Sequence, residues 1–253
     1  MNIKAIQIVL LTFLFILAHF THAKTLTFSH FVWQVRDGAG NPGPNFWSSD
    51  NAWVDTNGWL HLKIVYKNKQ WYCPFLYTDT RLGFGSYWFL IEGRADKLDP
   101  QIVLALFNYP TADIGKDQTN EIDIELSKWG STDPVSFNTS YTVWPAKNTL
   151  FRSQFLTFVK QQNNDVTHGF IWNAHKVFFL SSDRIDINYE HLISSWQFSP
   201  TDYINLIPQS PMPIYITLYL FKGVPADNTK ETEIIIKKFC FVSDDGKVNN
   251  CHL

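Results

Sequence analysis

The chain reads as an all-β protein, a two-sheet antiparallel β-sandwich. Three observations predict this. Short runs of β-branched and aromatic residues recur along the 253 residues. Turn signals separate them, among them Asp-Gly, Asn-Gly, Asn-Pro-Gly-Pro and Asp-Pro. No segment keeps a helical period, and evenly spaced short strands with Gly/Pro turns are the mark of a sandwich or barrel.

In chain order the expected strands are Trp59–Tyr66, Trp71–Thr78, Ser86–Glu92, Ile102–Asn108, Asn120–Leu126, Ser136–Val143, Val166–Trp172, Lys176–Ser181, Ile214–Leu220 and Glu233–Val242. Each is a short apolar or alternating run closed by turn residues, the pattern of strands buried on one face or both. Asp37–Ser49 is rich in Gly, Asn and Pro and is expected to be an irregular loop. Asp183–Met212, with Trp196 and several prolines, is weakly patterned and suits a helical turn or a loop bordering a cleft. No internal repeat, linker or low-complexity tract divides the chain. One domain is expected over residues 24–253.

Residues 1–23 have the form of a secretory signal peptide. Lys4 is their only charge, an apolar run follows from Ala5 to Ala18, and Thr21-His22-Ala23 has a small-x-small cleavage pattern. The run is short for a membrane span. A secreted, periplasmic or extracellular location is therefore expected, with no membrane association once the leader is removed.

The formal net charge is −2, and loss of Lys4 makes it more negative by one. That balance gives no electrostatic footprint for nucleic acid or an anionic membrane. Ten Trp and ten Tyr supply flat apolar faces with a polar handle, suited to sugar rings and equally to sandwich cores. In an oxidising compartment Cys240 and Cys251, which flank the turn Ser243-Asp244-Asp245-Gly246, are expected to form a disulfide pinning the C-terminal tail. Cys73 is left over as a small buried hydrophobe. No Cys/His grouping has metal-ligand spacing, and no cofactor is expected.

The segment that carries chemistry is Asn120-Glu121-Ile122-Asp123-Ile124-Glu125. As a strand it puts its isoleucines on one face and three carboxyl groups on the other. Like charges stacked on a strand face destabilise the sheet, so folding alone does not select such a row. A half-exposed strand with a solvated acidic face is the plain alternative. Glycoside hydrolysis gives the row a use: one carboxylate attacks the anomeric carbon, and a protonated carboxyl donates to the departing oxygen. Mutual repulsion keeps one carboxyl protonated near neutral pH. Four strand residues span roughly 13 Å, so the two glutamates must lean inward over Asp123, which a concave sheet favours.

With these residues in view, the chain resembles glycoside hydrolase family 16, whose signature is Glu-apolar-Asp-apolar-(apolar)-Glu. Leu82-Gly83-Phe84-Gly85-Ser86-Tyr87 resembles the family segment opening the strand before the catalytic hairpin. Thr167-His168-Gly169-Phe170-Ile171-Trp172 with Lys176-Val177-Phe178-Phe179 resembles a later family hairpin, and Ile214–Leu218 and Ile234–Phe241 its closing strands. The resemblance implies a jelly roll with a concave substrate cleft. It implies Glu121 as nucleophile, Glu125 as general acid/base and Asp123 as the residue that tunes the nucleophile. The candidates for sugar contact are Asn120, Trp88, Glu92, Arg94, Asn138, Ser140 and Trp144, with Asn138 and Ser140 on a strand where related enzymes hydrogen-bond sugar hydroxyls. A packing role is the alternative for each. His168 is in a family-like position but reads as a structural histidine, and Trp129 as packing beneath the site. Thr119 stands where lichenases carry Trp. Relatives bind a structural calcium, for which no ligand cluster is legible here.

The expected function is that of a secreted retaining endo-β-glycosidase acting on a polysaccharide of β-glucan or galactan type. A transglycosylase on the same site is the second reading. A non-catalytic lectin-like sandwich is the third. A monomer with a polysaccharide as its partner is expected.

Overall fold

The computed structural model describes residues 24–147, 151–183 and 191–251. The expected leader lies outside them. Two large antiparallel sheets pack face to face. The front sheet runs, in spatial order, Lys24–Phe28, Phe31–Val35, Phe75–Leu82, Met212–Leu220, Ile102–Asn108, Glu121–Leu126, Thr139–Trp144 and Ser153–Thr157. The back sheet runs Leu192–Phe198, Val177–Ser182, Asp165–Trp172, Gly85–Glu92, Thr232–Ser243, Leu60–Lys67 and Ala52–Val54, with Gln70–Tyr72 paired to Leu60–Lys67. This is the expected jelly-roll sandwich.

Period-2 patterning explains which residues meet between the sheets. Ile122, Ile124 and Leu126 of the acidic strand are buried, as are Ile214, Ile216 and Leu218 beside them. The back sheet answers with aromatic rings. Tyr87 stacks on Phe170 at 4.5 Å between centroids, and Tyr141 of the front sheet stacks on Phe179 at 5.2 Å. Offset ring pairs of this kind add to area burial alone. One polar thread crosses the core: Tyr141 Oη and His168 Nδ1 each lie 2.6 Å from Ser181 Oγ. Burial pushes the His168 imidazole down to about 3, so it is neutral and structural.

Several boundaries differ from expectation. The run over 71–78 is two strands, Gln70–Tyr72 and Phe75–Leu82, broken at Cys73-Pro74, where Pro lacks a ladder donor. The loop over 37–49 contains a small ribbon, Gly38–Gly40 against Asn45–Trp47. Lys24–Phe28, Phe31–Val35, Ser153–Thr157 and Leu192–Phe198 are strands that the pattern does not mark, all four lying at or beside sheet edges, where one-sided burial weakens the signal. Within the weakly patterned 183–212 stretch, the described part holds Leu192–Phe198 and a single helical turn, Tyr203–Leu206. Cys240 and Cys251 are free and close enough for each to shift the other's thiol, Cys240 down and Cys251 up. The expected bridge is thus a contact without a covalent bond here.

Gly169 marks a close approach in the back sheet. A Cβ there would collide with the Trp88 ring and with the Tyr87 carbonyl oxygen. The backbone oxygen cannot step aside without disturbing the ladder. Gly169→Ala is expected to lower stability by about 1–3 kcal/mol, read as a lower midpoint in chemical denaturation with an unchanged slope.

Candidate active site

Across the front sheet, strand register lines up residues into rows perpendicular to the strands. One row reads Leu156, Ser140, Glu125, Ala105, Thr217 and Phe75. The backbone hydrogen bond from Arg36 N to Phe75 O extends it to Arg36. The next row reads Gln154, Thr142, Asp123, Phe107, Tyr215, Tyr77 and Gln34. Glu121 pairs with Trp144 in a third. These rows floor a cleft of about 1210 Å³, open to solvent and lined by all three acidic side chains of the motif.

The acids are half-buried or nearly buried, with Asp123 only 7 % exposed. Burial is the main reason that all three carboxyls are raised above their ordinary range, and repulsion from neighbouring carboxylates adds to it for Glu121 and Asp123. Glu121 is pushed up to about 8, chiefly by burial, then by the charges of Glu125 and Asp117, against the opposing pull of Arg152. Asp123 is held well above the usual carboxylate range. It also lies within side-chain hydrogen-bond reach of Glu121. Two carboxyls this close repel unless one is protonated, and the deeper burial of Asp123 favours the neutral form there. Its other oxygen accepts from Trp144 Nε1 at 3.0 Å.

Glu125 is held differently. Tyr219 Oη donates to its Oε1 at 3.1 Å and Trp129 Nε1 to its Oε2 at 3.3 Å. Both bonds favour the ionised form, so they oppose the rise caused by burial. Trp129 reaches this position from a left-handed backbone, φ 46°, a strained setting for a bulky residue, with its N–H donated to Ser127 Oγ. The strained turn before the motif is of the same kind. Asn120, φ 50°, donates its side-chain amide to Ala146 O at 2.9 Å and its backbone N–H to Pro145 O. Asn120 thereby locks the entry to the acidic strand from beneath, and is buried outside the cleft lining.

The other sugar-contact candidates divide. Trp144 lines the cleft, with the Arg152 guanidinium 5.0 Å from its ring centroid. Ser140 shares the row of Glu125 but is buried under Gln154, whose amide donates to Ser140 Oγ at 2.8 Å. Asn138 is buried and fastens a loop through the Val159 N–H and carbonyl. Three candidates are not brought to the cleft, because the strand they belong to lies in the back sheet. Trp88 packs over Gly169 on the outer face, Glu92 pairs with Lys237 at 2.9 Å, and Arg94 pairs with Asp96 at 2.6 Å in the turn beyond. The structure gathers instead Tyr109, Asp117, Arg152, Tyr215 and Tyr219. Among the described residues no group of three or more His, Cys, Asp or Glu side chains is arranged to hold a metal ion.

No family model matches the chain, and no curated protein matches it. Solved structures do, and they define the fold as that of glycoside hydrolase family 16. A β-glucanase from Bacillus licheniformis superposes with a TM-score of 0.61 at 17% identity, over 83% of this chain and 91% of that one. A glycoside hydrolase family 16 endo-glucanase from Bacteroides ovatus, solved in a complex, gives 0.62 at 13% identity, over 82% and 94%. An immunostimulatory antigen and pseudo β-1,3-glucanase of Mycobacterium tuberculosis gives 0.59 at 18% identity, over 81% and 88%.

The raised Glu121 carboxyl has a consequence for stability. Folding tightens its hold on a proton from the ordinary 4.5 to about 8, so its favourable contribution is complete below pH 4.5 and is lost as pH rises toward 8. Glu121→Gln carries no such dependence. Its melting temperature is expected to match the wild type near pH 4.5 and to exceed it increasingly toward pH 8, by about 2–4 °C per kcal/mol relieved.

Proposed function

We propose that the protein is a retaining endo-β-glycan hydrolase. The observation that carries this reading is the trio of carboxyls on one strand face, opened into a long cleft and each held by a distinct set of partners. The fold alone is not enough, since similar structures include both a β-glucanase and a pseudo β-1,3-glucanase. Export from the cell belongs to the same proposal, supported by the leader-like pattern of residues 1–23.

In this reading the ionised form of Glu121, favoured by the neighbouring Asp123 carboxyl and opposed by burial, attacks the anomeric carbon and forms a glycosyl ester. Glu125 gives its proton to the leaving oxygen as the bond breaks. Glu125 then takes a proton from water, which attacks the ester and frees Glu121. Tyr219 and Trp129 stabilise the Glu125 carboxylate that exists between the two steps, and Arg152 offsets the surplus negative charge beside it. The cleft crosses the strands, which suits a polymer bound along its length. A lectin-like binder has no use for three carboxyls gathered in one cleft against the cost of their burial. Transglycosylation uses the same groups, and product analysis separates it from hydrolysis.

Reducing-sugar release on β-1,3-, β-1,4- and mixed-linkage glucans, galactans and xyloglucan tests the proposal. Glu121→Gln and Glu125→Gln are each expected to cut release on the order of 10³-fold or more, with the fold retained. Full activity in Glu121→Gln would falsify the assignment.

The pH profile offers a second check. With the carboxyls raised by burial, both limbs of kcat/KM are expected above the ordinary carboxylate range, and they belong to the coupled trio. Tyr219→Phe removes a donor to ionised Glu125, so the basic limb should move to higher pH while kcat falls about 10-fold or more. An unmoved limb would mean that the tyrosine only packs.

A further inference from the structure

The described residues include four arginines, and they fall into two pairs. Outside the cleft, Arg81 is bidentate to Asp113 at 2.7 and 2.8 Å, and Arg94 is bidentate to Asp96. Inside it, Arg36 and Arg152 have no acidic partner within ion-pair distance among the described residues. Arg152 stands close enough to the catalytic carboxyls to shift them. Arg36 lies four strands from Glu125 along the same row, roughly 19 Å at ~4.8 Å per strand. That is about two screening lengths at physiological salt, so the acid trio does not satisfy it.

Arg36 is also seated rather than loose. Its guanidinium lies 5.4 Å from the Phe75 ring centroid and 6.0 Å from that of Trp47. It is pressed on Gly40, where a Cβ would collide with Nη2. Among the described residues its one side-chain hydrogen bond goes to Asn41 O, at 3.4 Å, which leaves most of the five-donor fork without a partner there. The acids nearest in sequence and register are engaged elsewhere: Asp37 accepts the Ser49 N–H, and Asp79 accepts the Gln34 amide. Between Glu125 and Arg36 the row holds the small residues Ala105 and Thr217, while the neighbouring row raises Phe107, Tyr215 and Tyr77, stacked at 5.1 and 5.5 Å. The result is a trough beside an aromatic ridge, ending at an unpaired, flat, bidentate cation.

We propose that Arg36 is the anion-reading end of this trough, and that the glycan it takes carries carboxylate or sulfate groups. The proposal deepens the polysaccharide reading above and rests on it. A planar guanidinium is the side chain best matched to two oxygens of such a group. Nonspecific attraction does not account for anion binding here, because the chain is net negative and acids outnumber arginines in the cleft.

Binding is measured on the Glu121→Gln form, which is not expected to turn over, so a failed hydrolase reading would show up separately in product release. The probes are laminarin, laminarin sulfate and carboxymethyl laminarin, which share one backbone. At least one anionic probe is expected to bind about tenfold or more tightly than laminarin, and the better of the two identifies sulfate or carboxylate. Arg36→Gln should bring that ratio close to one. Gly40→Ala should reduce it by displacing the guanidinium, at a position whose backbone needs no left-handed conformation. Equal affinity for the three probes, no measurable affinity for either anionic probe, or a preference that persists in Arg36→Gln overturns the proposal.

Discussion

The controlling interaction is repulsion among three carboxyl groups fixed on one face of one strand. A sheet can carry that load only if the opposite face compensates, and Ile122, Ile124 and Leu126 do so by complete or near-complete burial against the back sheet. The load also has to be divided chemically. Burial and the neighbouring carboxylates favour a proton on Asp123, while two neutral donors hold Glu125. Partners drawn from three separate segments, Trp144, Trp129 and Tyr219, converge on groups that would otherwise be buried and unsatisfied. The strained turns at Asn120 and Trp129 bracket the strand and aim its ends.

The surroundings follow from the same constraint. A charged row cannot be roofed without a heavy desolvation penalty, so the front sheet stays open and its outer face becomes a cleft. The back sheet has no such load. Its outer face carries ordinary ion pairs such as Lys237 with Glu92 and Asp165. The asymmetry between the two sheets therefore originates in one hexapeptide.

The parts legible in the sequence were those with a local signal. The alternation of Ile and acid announces the strand and its acidic face, and the apolar run over 102–107 announces a buried strand. Trp88 could not be located, because an aromatic residue with alternating neighbours looks alike on either sheet. Only the pairing partner decides which face it meets, and pairing is long-range. Tyr215, Thr217 and Tyr219 did carry a signal: they alternate with Ile214, Ile216 and Leu218 just as the acids alternate with isoleucine. That parity marks them for the outer face of whichever sheet they join. Arg36 and Arg152 carried none, since neither belongs to a patterned run.

Because the cleft floor is built from rows fixed by the backbone ladder, its divisions are set by the spacing between strands and not by loop conformation. Each strand contributes one tooth to a comb of constant pitch. A change at Ala105 or Thr217 alters the depth of a single gap and leaves the pitch of the others untouched. Such a surface can reshape one gap by isolated substitutions, while the acidic trio stays registered on the same strand.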